Sequence, residues 1–251
     1  MENIPELIKI NSANIDSQHL CCAISDRNCR DGYLKKKEWL KKEMPTGYTF
    51  CKADVKGKVF IEYCPLEQSW LPVKGSNFMV INCFWVSGKF SGQGLGTRLL
   101  NQCFEDAKEM DGVIAITADK KQPFMMDPLF LKKNGFRIID TASPNFLLWC
   151  KSDKNNENLP RFAESARHAR CSNKNGIVAY YSNTCPFTEY YTNNVLSTFL
   201  EKRGIPYEII KIDSREKGLN MPVPWIINSI FYMGELLTLE ILSQNRLEKL
   251  I

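Results

Sequence analysis

Apolar positions fall into two kinds of run, separated by helical stripes. Residues 7–10 read as a short strand, and helices are expected from near Asp16 and over 33–43, the second ended by Pro45 and Gly47. Residues 48–53 and 58–64 alternate apolar and polar, which predicts a hairpin around Asp54-Val-Lys-Gly57. Residues 78–86 are nearly all apolar or aromatic, which suits a strand buried on both faces. From Thr97, Leu99, Leu100, Cys103, Phe104 and Ala107 share one helical stripe. A strand at 112–117 follows. Asp127 and Pro128 then start a helix that Gly135 ends, and strands at 136–141 and 146–151 close the set.

Residues 152–175 are polar, rich in asparagine and punctuated by proline, and read as a linker with a short helix at 161–170. A second β-rich unit starts at Gly176. Strands are expected at 176–181, 207–212, 225–231 and 236–239, with a helix from 188 to about 203 and a last one from Ser243. The fold class is therefore α/β (α+β), divided into units at 1–151 and 176–251 with the linker 152–175 between them.

With 251 residues the chain can bury two sizeable cores, and its 44% hydrophobic and 24% charged content suits a globular protein. No apolar run reaches the ~18 residues of a membrane span, and the N-terminus has no signal-peptide pattern, so a cytoplasmic location is expected. Ten cysteines are scattered without a Cys-x-x-Cys, and His19 and His168 stand in no metal-ligand spacing, so neither a disulfide framework nor a metal site is expected. The net charge of +5 is concentrated partly in the lysines of 33–42. That run reads as an amphipathic helix with a solvated side, not as a nucleic-acid surface.

The chemistry-bearing stretch is the loop after the strand at 78–86. Gly92, Gly94 and Gly96 alternate there before a helix, which lets backbone N–H groups approach an anion at a helix N-terminus. A Walker loop is excluded because no lysine follows Gly96. The Rossmann spacing is also absent.

The stretch resembles motif A of the GNAT superfamily of N-acetyltransferases, with Ser91-Gly92-Gln93-Gly94-Leu95-Gly96 as its core and Ser91 where the family carries Arg or Gln. The resemblance implies acetyl-CoA as cosubstrate, its pyrophosphate held by the amides of residues 91–97 (Ser91, Gly92, Gln93, Gly94, Leu95, Gly96, Thr97). Its pantetheine arm would then pair with the strand end at Phe84, Trp85 and Val86. Residues 127–136 resemble motif B, with Phe130 in the phenylalanine position and Leu131 where the usual general acid, a tyrosine, would stand. Glu62 projects from its strand opposite Ile61, as either a carboxylate on a solvated face or a candidate general base. Glu67 and Trp70 are candidates for the acceptor pocket.

The second unit resembles a compact thioredoxin or glutaredoxin domain. Cys185-Pro186-Phe187 stands at the start of its helix, where a dipole lowers a thiol pKa. Pro224 takes the cis-proline position, and Thr188 replaces the resolving cysteine. Together the two units resemble the YoaP-type bacterial acetyltransferases. The implied activity is acetyl transfer to a small-molecule or peptide amine by direct attack in a ternary complex, without nucleic acid or membrane. The alternative is a thiol redox or docking protein acting through Cys185 of the second unit, with the first as a coenzyme A-binding regulatory domain. Sheet edges of the GNAT kind also admit a homodimer.

Overall fold

A computed structural model describes residues 5–20, 22–23, 25–152 and 158–251. The N-terminal unit runs β1 (Leu7–Lys9), α1 (Arg30–Glu43), β2 (Thr49–Ala53), β3 (Val59–Pro65), β4 (Val73–Lys74), β5 (Phe78–Val86), α2 (Leu95–Asp106), β6 (Gly112–Ala118), α3 (Pro128–Lys133), β7 (Arg137–Ala142) and β8 (Phe146–Lys151). Seven of these strands form one sheet in the order β1-β2-β3-β5-β6-β8-β7, antiparallel except for the pair β5 and β6. One hydrophobic cluster lies between this sheet and α2 and includes Ile61, Leu99, Leu100 and Leu131.

The expected helix near Asp16 does not form. The Asn11 side chain accepts from the amides of Ala13 and Asn14, and the Asn14 side chain accepts from the Asn11 amide. These local bonds hold turns where a helix would need the same donors. Ile15 is nevertheless fully buried.

The stretch expected as a linker is largely built in. Within it β9 (Arg161–Phe162) pairs antiparallel with β4, and the Phe162 amide donates to Asp140 at 2.8 Å. Arg167 binds the same carboxylate at 2.9 Å. The helix expected at 161–170 is replaced by this strand and a 3-10 turn at Glu164–Ala166. Pro160 and the pairing with β4 draw the backbone into an extended path that a helix cannot share.

The C-terminal unit runs β10 (Ile177–Ser182), α4 (Thr188–Tyr190), a π-helical stretch (Tyr191–Leu196), α5 (Ser197–Arg203), β11 (Tyr207–Ile212), α6 (Arg215–Leu219), β12 (Asn228–Tyr232), β13 (Glu235–Thr238) and α7 (Gln244–Leu250). Its sheet has the order β11-β10-β12-β13, with β10 parallel to β11 and antiparallel to β12. Helix α6 was not foreseen. It is capped by Ser214, whose hydroxyl accepts from the Lys217 amide.

The two units share a core. A single buried cluster contains Trp39, Trp70 and Phe78 from the first and Trp225, Ile227 and Phe231 from the second. Two glycines permit this closeness. A Cβ on Gly32 of α1 would lie 2.2 Å from the Pro186 carbonyl oxygen, and one on Gly218 would lie 2.2 Å from that of Trp70. Lys35 also reaches across to Glu189 at 2.7 Å.

Candidate active site

Strand β5 changes character along its length. It bonds β6 only from Phe78 opposite Gly112 to Ile81 opposite Ala115, and beyond that the two parallel strands part. Opposite β3 the register slips, because Glu62 faces Cys83 and Tyr63 faces Ile81, which leaves Asn82 as the extra residue of a β-bulge. The stretch 82–86 therefore keeps β3 on one side and has lost β6 on the other. Its residues are half-buried or exposed, where 78–81 are buried.

The loop after β5 makes a 3-10 turn (Gly88–Phe90) and then enters α2 at Leu95, two residues before the expected start. Gly92 and Gly94 sit at φ +77 and +74, the left-handed region, and a Cβ on either would meet nothing within 4 Å. The cradle is therefore open in front and closed behind. Behind it, Gly96 lies against the Phe84 ring, 3.3 Å from where its Cβ would stand, and Phe84 stacks on Phe130 of α3 with centroids 5.0 Å apart. The first amides of α2 have no partner within the helix. An anionic diphosphate fits this arrangement of free amides and absent side chains.

Glu62 is buried, not solvated. Its Oε2 accepts from Lys36 Nζ at 2.5 Å and from Tyr48 Oη at 2.8 Å. Lys36 is itself fully buried, lies 4.6 Å from the Trp39 ring centroid, and also donates to the Thr184 carbonyl of the C-terminal unit at 2.8 Å. Burial, reinforced by the Glu62 carboxylate, holds the Tyr48 hydroxyl well above its ordinary pKa, so Tyr48 stays a donor.

Two adjoining cavities, of about 30 and 200 Å³, share Glu62, Cys83, Phe124, Thr184 and Ile227 as wall residues. Asn82 and Phe84 also border the smaller one and Trp85 the larger, so the carboxylate and the parted end of β5 line the same space. Trp70 borders the smaller cavity, whereas Glu67 is exposed and accepts from the Asn77 amide at 2.6 Å.

Residues 19–136 match the acetyltransferase (GNAT) family and residues 206–249 the YoaP-like family. A Bacillus subtilis protein named uncharacterized N-acetyltransferase YoaP is 37% identical over 246 residues, covering 97% of each chain. This chain belongs to the GNAT acetyltransferases, of the YoaP kind. Among solved structures, this acetyltransferase is similar to Ard1 from Thermoplasma volcanium (18% identity, TM-score 0.42, 60% of this chain and 98% of that one). It is also similar to a Brucella melitensis GNAT acetyltransferase in complex with acetyl-CoA (12%, 0.40, 62% and 92%). No helix of the described residues is long and apolar enough to cross a membrane.

Three expectations about this acetyltransferase meet a different setting in the structure. Cys185 is buried, and burial pushes its thiol up to about 12, the opposite direction from the lowered value expected at a helix start. The helix dipole loses to desolvation: α4 begins only at Thr188, and the thiol borders the apolar cavity. Pro224 is not a cis-proline, since the cis bond among the described residues is Ser143–Pro144. Residues 221–227 are instead buried into the junction between the units, the context that sets the isomer. Leu131 is fully buried in the core behind α2, so no side chain at the motif B tyrosine position reaches the cleft.

Lys36, Tyr48 and Thr184 were missed. The signal for Lys36 was present: Gly32, Lys36, Trp39 and Leu40 are the buried residues of α1, at helical spacing, so one lysine of the run sits on the apolar stripe.

Proposed function

We propose that this acetyltransferase moves an acetyl group from acetyl-CoA to the nitrogen of an amine, with both substrates bound at once and no covalent enzyme intermediate. The supporting observation is the juxtaposition of the open glycine cradle, the freed edge of β5 and the buried Glu62, which faces Cys83 across β3 and β5. The amides of 92–97 hold the diphosphate. Residues 84–86 offer main-chain groups to the pantetheine arm, and holding the thioester and amine in register supplies much of the acceleration.

Lys36 and Tyr48 both bind Oε2 of Glu62, so Oε1 is the oxygen left for an acceptor ammonium. Glu62 takes one ammonium proton, the free amine attacks the thioester carbonyl, and the departing thiolate, the anion of a thiol of pKa ~8.5, takes through water the second proton that the nitrogen sheds as the amide forms. With no tyrosine reaching the cleft from motif B, the leaving group does without a side-chain acid.

The C-terminal unit is read as thioredoxin-like, supported by its strand order. The raised Cys185 thiol argues against redox work there. Calorimetric titration with acetyl-CoA tests the cofactor site, and intersecting initial-velocity lines are expected for a ternary complex. Parallel lines, or Glu62→Gln turning over as fast as the wild type across pH 6–9, overturn the mechanism.

A further inference from the structure

The C-terminal unit supplies much of the wall of the space beside Glu62. Thr184, Cys185, Pro186 and Phe187 come from the loop after β10, and Ile227 from the segment before β12. Opposite them stand Phe60, Trp85 and Phe124 of the N-terminal unit. The glycine contact of Gly32 with Pro186 and the Lys36 bond to Thr184 fix these walls relative to the carboxylate. The pocket is thus completed only when both units are present.

Its chemistry is narrow. The larger cavity measures about 200 Å³, and an apolar cavity of roughly 150 Å³ is enough to take up benzene. A single aromatic ring with a short aminoalkyl arm therefore fills it. Among the described residues Glu62 is the one carboxylate on the walls of either cavity, and it already carries the Lys36 ammonium. Lys58 adds a second positive charge at the larger one. A polyamine would bring a further cation with no partner. An aminoglycoside would bring many hydroxyls to walls that are mostly apolar, and each unpaired polar group is costly there.

We propose that the acceptor is a small primary amine carried on one aromatic or similarly flat apolar body, bound in a composite pocket between the two units. The proposal rests on the acetyltransferase reading above. The amine points to Glu62 and the ring lies against Phe124, Phe187 and Ile227. The C-terminal unit is thereby the specificity wall of the enzyme. The reaction forms the amide C–N bond, breaks the thioester C–S bond, passes one ammonium proton to Glu62 and the second, through water, to the departing sulfur, and releases coenzyme A as the thiol.

The test uses the full chain with acetyl-CoA and three probes: 2-phenylethylamine, spermidine and kanamycin. Thiol release is followed, and coenzyme affinity is measured separately by calorimetry. The expected result is a kcat/KM for 2-phenylethylamine about 100-fold above the other two, the order of penalty that unpaired buried polar groups impose. Ile227→Phe, which shrinks the pocket, should raise the KM for 2-phenylethylamine about tenfold with coenzyme affinity unchanged, the scale of a few lost or clashing methylenes. Phe187 is only half-buried, so Phe187→Ala provides a second, foldable variant, expected to raise the same KM. Preference for spermidine or kanamycin, or an unmoved KM in Phe187→Ala, overturns the proposal. Coenzyme binding with no turnover of 2-phenylethylamine overturns this proposal alone. Failure of the wild type to bind acetyl-CoA overturns the acetyltransferase reading with it.

Discussion

The glycine cradle and the pocket around Glu62 adjoin but are built on opposite principles. The cradle is made of backbone from one continuous stretch, opened by what is missing at Gly92 and Gly94. The pocket is made of side chains from both units: Lys36 comes from α1, Tyr48 precedes β2, Glu62 lies on β3, and Thr184 and Ile227 belong to the C-terminal unit. The cradle tolerates change in its surroundings and is intolerant at one or two positions. The pocket spreads its dependence over the whole molecule, and its buried charges tie function to stability.

The largest expected effect falls on the pocket. Lys36→Met leaves Glu62 buried without its cation and should cost about 3–5 kcal/mol in urea unfolding. Lys36→Met combined with Glu62→Gln should recover part of that loss, which a pair without coupling would not show. Next comes the cradle. Gly94→Asp places a carboxylate, on a Cβ at a left-handed φ, among the amides proposed to bind phosphate and should weaken acetyl-CoA by about 100-fold, near 2.7 kcal/mol. Its unfolding free energy should move by no more than about 1–2 kcal/mol. If Gly94→Asp unfolds the protein as readily as Lys36→Met does, the contrast between the two sites collapses.

Gly32→Ala probes the seam between the units. Its Cβ would press on the Pro186 carbonyl, so a loss of about 1–3 kcal/mol is expected from overpacking, with acceptor KM affected more than coenzyme affinity. The last effect is nil at neutral pH and appears only in alkali. Burial pushes Cys51 and Cys150 up to about 11 and Cys64 and Cys185 up to about 12 from an ordinary value near 9. The folded chain holds these protons more tightly than the unfolded one. Their contribution to stability is complete below about pH 9 and fades between about 9 and 12. Urea midpoints should be level from pH 7 to 8.5 and fall at pH 10.5. At pH 8, iodoacetamide should modify native Cys185 roughly a thousandfold more slowly than a free cysteine; rapid modification would restore the redox alternative.

Legibility in the sequence follows the same division. The strand, loop and helix of the cradle could be read because every contact that shapes them is local. The helix at α3 was readable for the same reason, with the Asp127 carboxylate accepting from the Leu129 amide and Gly135 at φ +83. Glu62 could be placed on a strand but not inside a cation's grasp, since Lys36 looks like its neighbours in a run of lysines. The turns at 12–17 hid behind an apolar residue, Ile15, that a helix would also have buried. Thr184 contributes a carbonyl, a group every residue possesses, so no pattern could have singled it out. The cavity arises where the β10 and β12 loops meet β3 and β5, and that meeting depends on contacts far apart in sequence.

The bond from Lys36 to Thr184 also sets an order of events during synthesis. Its two ends are 148 residues apart, whereas Lys36 and Glu62 are separated by only 26. At a translation rate of about 5–20 residues per second, Thr184 leaves the ribosome roughly 7 to 30 s after Lys36. Until then the place of the Thr184 carbonyl beside Lys36 is open to water. The proposed coenzyme cradle is translated before the proposed acceptor wall, so the residues that would hold the cosubstrate leave the ribosome ahead of those that would select what is acetylated.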